Sequence, residues 1–125
     1  MPAYSFSVFK EKVKDGSKAQ TVRHRRKYPT KVGDWLALYW KQRSPECEKL
    51  GESVCTETFP IFKLAGWWNK TYSDGHSEMM IEDEFTDIAL RDGFDNVEDF
   101  EAWFADVPDS EPLDVIRWKP LGGVK

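Results

Sequence analysis

The run Trp35-Leu36-Ala37-Leu38-Tyr39-Trp40 is apolar at odd and even positions alike. A strand of this kind needs cover on both faces, as a central strand has. Turn signals bound it, with Pro29-Thr30 and Gly33-Asp34 before it and the polar stretch Gln42 to Ser53 after it. The cover is available: 40% of the 125 residues are hydrophobic, with six Trp and eight Phe. That content supports one domain, residues 1–125, without disulfides or a structural metal.

Phe6, Phe9 and Val13 recur at helical spacing, with Ser5 and Ser7 as candidate N-caps and Gly16 placed to end the helix in a left-handed conformation. This predicts a helix over 6–15. Ala19 to Arg23 alternates as a half-buried strand does. A further strand is predicted over Val54 to Leu64, where Pro60 implies a bulge or an edge. Trp67-Trp68 and Met79-Met80-Ile81 flank Ser73-Asp74-Gly75-His76, a tetrapeptide suited to close a hairpin. Asp83 is a candidate cap for a helix holding Phe85, Ile88 and Ala89 and ending before Gly93. Asn96 with Asp99 forms a capping pair ahead of Phe100, Trp103 and Phe104, and Pro108 and Pro112 stop that second helix. Val115 to Trp118 reads as a last strand before a Gly122-Gly123 tail. The expected fold is α+β: a small, mostly antiparallel β-barrel of five or six strands with short helices flanking it.

No apolar run reaches the roughly 18 to 20 residues that span a bilayer, and Met1-Pro2-Ala3-Tyr4-Ser5-Phe6 lacks the pattern of a signal peptide. A cytoplasmic protein with no membrane partner is expected. Cys47 and Cys55 are then expected to be reduced thiols, and His24 and His76 show no zinc-ligand spacing with them, so no structural metal is expected.

The net charge of −4 conceals two opposite halves. From Lys10 to Lys31 nine basic residues face two acidic ones, a net of +7, whereas from Asp74 to Asp114 fifteen acidic residues accompany Arg91 alone, a net of −14. Either the two runs are solvated faces that attract one another, or Arg23, Arg25, Arg26 and Lys27 form an anion-binding rim while the acidic half confines binding to one face.

Residues 16 to 23, Gly-Ser-Lys-Ala-Gln-Thr-Val-Arg, give GxKxxTxR between a helix and a strand. Together with Gly33-Asp34, Gln42-Arg43, Cys47-Glu48-Lys49-Leu50-Gly51, Cys55, Asp92-Gly93-Phe94, Trp103-Phe104 and Ile116-Arg117-Trp118, this order resembles the ASCH domain family over nearly the whole chain. The Cys-x-Lys-Leu-Gly form is similar to the branch common in bacteriophages and their bacterial hosts. The resemblance implies a PUA-like β-barrel with a cleft beside the first turn. It also implies one of several activities: RNA binding, ribonuclease action on single-stranded RNA, or amidohydrolase action on N4-acylated cytidine. For the last, it places the catalytic roles on Lys18, Thr21 and Asp92. Two departures accompany it, since Asp92 replaces a longer Glu and Ala19 stands where the family usually has Thr.

In a hydrolytic site a partly desolvated Lys18 would accept a proton from Thr21 or from water, Asp92 would orient Lys18 or the substrate amine, and Arg23 would hold an oxyanion or a phosphate. In a binding site the exposed faces among Tyr28, Trp35, Trp40, Trp67 and Trp68 would stack bases while Arg23, Arg25, Arg26 and Lys27 hold the backbone. Trp67 and Trp68 are adjacent and so point to opposite faces of a strand. No cofactor is expected, and Mg²⁺ or Mn²⁺ enters only under the ribonuclease reading, through Glu82, Asp83, Glu84 and Asp87. A third class, an interaction protein docking a basic partner on its acidic half, follows from charge alone.

Overall fold

The computed structural model describes residues 2–121. The Gly122-Gly123 tail lies outside them. Seven strands form one mixed sheet curled into a half-barrel, with three short helices. The apolar run is β3 (Trp35–Trp40), and it is sandwiched between parallel β1 (Ala3–Phe6) and the start of antiparallel β4 (Glu48–Leu64). β4 continues past β3 to pair with β7 (Leu113–Trp118) over Cys55–Ile61 and with β5 (Trp67–Thr71) over Ile61–Leu64. β6 (Ser77–Met79) extends β5, and β2 (Gln20–His24) extends β7. Five of the six pairings are antiparallel.

Two irregularities in β4 account for the curl. Leu38 pairs with Gly51 but Tyr39 with Lys49, leaving Leu50 without a partner; Cys55 and Glu57 pair with Trp118 and Arg117, leaving Thr56 without one. Each extra residue bends the strand and raises its twist, so one 17-residue strand serves both ends of the sheet. Pro60 lies between the second irregularity and the point where β5 pairing begins.

The first segment differs from expectation. Residues 3–6 form a strand, and the helix α1 spans only Lys10–Asp15. Tyr4 and Phe6 alternate with half-buried neighbours, and their pairing with β3 outweighs the helical spacing of Phe6, Phe9 and Val13. Ser5 and Ser7 therefore cap nothing, and the chain enters α1 through Phe9 at φ 65°. Gly16 does end the helix in the left-handed conformation. Glu48–Ser53, part of the expected loop, are strand. In α2 (Glu82–Arg91) the N-cap is Ile81 without a side-chain cap; Asp83 instead sits in the first turn with Glu82 and Glu84, where carboxylates offset the helix dipole. α3 (Val97–Trp103) starts as expected, with the Asn96 side chain accepting a 2.8 Å hydrogen bond from the Asp99 amide.

Two core clusters share β7 between them. Leu113 and Val115 join Val22, Phe59, Ile61 and Trp68 under Ile88, Ala89, Phe100 and Phe104 of the helical side. Ile116 and Trp118, on the alternate positions, pack with Tyr4, Phe6, Val13, Leu36, Leu38 and Cys55. β7 is consequently apolar on both faces, like β3. Where the helical side meets β2, a cleft opens.

Candidate functional site

Alternation along β2 divides its side chains between the two faces. Gln20 and Val22 sit opposite Arg117 and Val115, whereas Thr21 and Arg23 sit opposite Ile116 and Asp114. Lys18 precedes the strand, held by its amide donating to Lys12 O at 2.9 Å in the turn that Gly16 begins. A side chain at Gly16 would place Cβ 2.4 Å from the Leu121 carbonyl oxygen, and its φ of 88° also selects glycine.

Lys18, Thr21, Arg23 and Asp92 line one cleft of about 490 Å³, together with Phe6, Phe9, Phe94 and Trp103. Lys18 is 2% exposed. Its Nζ donates to the Asp92 backbone carbonyl at 2.5 Å, stands 3.5 Å from Asp92 Oδ1, and is 5.5 and 5.6 Å from the ring centroids of Phe6 and Phe9. Burial pulls the Lys18 ammonium down to about 8, against the opposing pull of the Asp92 charge. Burial likewise raises the Asp92 carboxyl, with Lys18 acting in the opposite direction.

Asp92 is the C-cap of α2, just past Arg91, where helix carbonyls lack intrahelical partners. Lys18 satisfies its carbonyl, Lys12 Nζ donates to Gly93 O at 2.5 Å, and Gln20 Nε2 donates to Ile88 O at 2.9 Å and Asp92 Oδ1 at 3.2 Å. Gln20 Oε1 accepts from Arg117 Nε at 2.9 Å, which fixes the orientation of the amide. Thr21 Oγ1 accepts from Arg23 Nε at 2.8 Å, and Arg23 Nη2 donates to Ser5 O at 2.7 Å. The hydroxyl hydrogen of Thr21 thus remains available to a base.

The other sequence candidates disperse. Arg25 is ion-paired with Asp114 at 2.9 Å, and Lys27 is exposed beside the Tyr28 ring. Arg26 lies over the Tyr4 ring in a second cleft that adjoins the first through Ser5 and Arg23. Trp67 is exposed but does not line the Lys18 cleft. Trp68 has no face to offer a base: it is 5% exposed, packed against Phe85 and Phe100. Trp35 and Trp103 are both exposed, and Trp103, not Trp35, stands at the cleft. Among the described residues no three His, Cys, Asp or Glu side chains converge as a metal-binding group, and no helix is long and apolar enough to cross a membrane.

Trp103 was not readable as a cleft residue, because it reaches the cleft only through tertiary packing, and Gln20, buried behind the cleft wall, was not readable as the partner that holds Asp92. No protein-family model, no curated protein and no solved structure matches this chain.

Proposed function

We propose that the cleft binds RNA or a modified nucleoside and hydrolyses an acyl amide on its base, as in N4-acylated cytidine. The observation that carries this reading is the lysine at the cleft wall: Lys18 is buried between two aromatic rings, tied to Asp92, and shifted to about 8, so a usable fraction is neutral near pH 7. The neutral amine takes a proton from the attacking hydroxyl, that of a water or of Thr21, as the new C–O bond forms. The resulting ammonium returns that proton to the departing base amine as the C–N bond breaks. On the Thr21 route a water activated by the same amine then cleaves the acyl–Thr21 ester, releasing the acid and restoring the hydroxyl. Arg23 polarises Thr21 by donating to its oxygen, and the rings of Phe94 and Trp103 give the cleft an apolar wall against which a base packs. The resemblance of the GxKxxTxR segment to the ASCH family, and of Lys18, Thr21 and Asp92 to its amidohydrolase group, supports the same assignment and the PUA-like description of the half-barrel.

Mass spectrometry of N4-acetylcytidine, related acylated nucleosides and a short single-stranded RNA, incubated with the wild type and with Lys18→Met, tests the reading. Loss of the acyl group with the wild type alone is expected. Strand cleavage instead, with or without Mg²⁺ or Mn²⁺, would make the protein a ribonuclease. Survival of every substrate would leave a non-catalytic binding module.

A further inference from the structure

The sequence holds six arginines, and the structure sorts them into two groups. Arg25, Arg91 and Arg117 are paired with Asp114, Asp87 and Glu57. Arg23, Arg26 and Arg43 have no carboxylate within ion-pair distance among the described residues, and all three line the second cleft, with Ser5 and Gln42. No acidic side chain lines it, in a chain with 22 of them. The Lys18 cleft next to it is mixed, carrying Asp92, Asp106 and Glu111 beside Lys18 and the shared Arg23.

Two of the guanidinium groups are fixed by neighbours, and the third rides on a pinned loop. Arg23 is fixed through Thr21 Oγ1 and Ser5 O, leaving Nη1 uncommitted. Arg26 is held by the Ala3 carbonyl and by the Tyr4 ring 4.0 Å from its guanidinium carbon. Arg43 comes from the far side, on a loop pinned to β1 by Lys41 N donating to Phe6 O at 2.9 Å and Gln42 N donating to Ser5 Oγ at 2.9 Å. Its backbone is held at φ 70°, a conformation that a non-glycine residue adopts at a cost. Three guanidinium groups collected without a counter-charge repel one another, and a phosphate offers each of them the paired acceptors that the protein withholds.

We propose that the cleft of Arg23, Arg26 and Arg43 receives a phosphate group of the same ligand whose base enters the Lys18 cleft. The ligand is then a nucleotide, and a neutral nucleoside fills only half of the site. This rests on the reading of the Lys18 cleft as a nucleobase site. The carboxylates around that cleft repel a phosphate and the arginines attract it, so the charge pattern also sets the ligand's direction across Ser5 and Arg23.

Titration of cytidine, its 5′- and 3′-monophosphates, a single-stranded trinucleotide and inorganic phosphate against the wild type and against Arg26→Gln/Arg43→Gln decides the matter. Both altered residues are exposed, and Arg23 is left in place because it holds Thr21. At least one phosphorylated ligand is expected to bind about tenfold or more tighter than cytidine, an advantage that falls with added salt and drops to about threefold or less in the double variant. Cytidine itself is expected to bind both proteins equally. A preference for a monophosphate identifies a terminal phosphate as the source, and a preference for the trinucleotide identifies a strand phosphodiester. Equal affinity for cytidine and every phosphorylated ligand overturns the phosphate cleft while leaving the base site standing. Inorganic phosphate binding as tightly as the nucleotides, with no cytidine binding, overturns the single-ligand arrangement and the base site with it.

Discussion

Replacing the buried pair Lys18–Asp92 by Met and Asn is expected to change how stability responds to alkaline pH. The ammonium of Lys18 is shifted from 10.5 to about 8 in the folded chain, so the unfolded chain binds the extra proton between those values. A group depressed in this way contributes stability that is present above its unfolded value and lost as pH falls through its folded value; on raising the pH, the wild type therefore gains. One site with that shift gives about 1 kcal/mol between about pH 7 and pH 9, and about 3 kcal/mol over the full interval. Asp92 acts with the opposite sign, since its raised carboxyl loses its contribution as pH climbs from 3.8. Urea unfolding followed by tryptophan fluorescence at pH 7, 8 and 9, for the wild type and for Lys18→Met/Asp92→Asn, reports the titration of this pair and cancels that of the groups the two proteins share. The difference between the two proteins is expected to move toward the wild type by about 1 kcal/mol across this range. Parallel profiles would refute the claim that Lys18 is strained by burial. Removing both charges together avoids orphaning either one, so the double variant is expected to fold and to match or exceed the wild type at pH 7.

Two contrasts follow from packing, each checked by denaturant unfolding. Trp68→Ala is expected to cost about 3 to 5 kcal/mol by emptying the space against Phe85 and Phe100, while Trp67→Ala stays within about 0.5 kcal/mol. Gly16→Ala is expected to cost about 2 kcal/mol or more because it meets the Leu121 carbonyl at 2.4 Å, whereas Gly33→Ala, with open space and only a positive φ, costs about 1 kcal/mol.

The elements readable in the sequence were those whose signal is local. β3 showed through an apolar run on both faces, α3 through Asn96 and Asp99, the end of α1 through Gly16, and the opposite fates of Trp67 and Trp68 through strand alternation. β1 was hidden because its partner is β3, about thirty residues on, while Phe6, Phe9 and Val13 carry a competing helical spacing. The first part of β4 was hidden because Glu48–Ser53 is largely half-exposed and polar. At the site, Lys18, Thr21, Arg23 and Asp92 were named through the ASCH resemblance, and their sharing one cleft depends on the β2–β7 register and the end of α2. Trp103 and Arg43 reach the two clefts from separate segments, a convergence that spacing along the chain does not encode.

The pairing of Gln20 with Arg117 closes a loop of nearly the whole chain, and β7 is the element both cores are built around. On a ribosome, β1 to β6 emerge with their apolar faces unmatched until residue 118 has been made. Neither half can mature first, so folding is expected to be slow and all-or-none. Truncation within β7 leaves two open cores rather than one intact half, and such fragments are expected to be cleared or to aggregate.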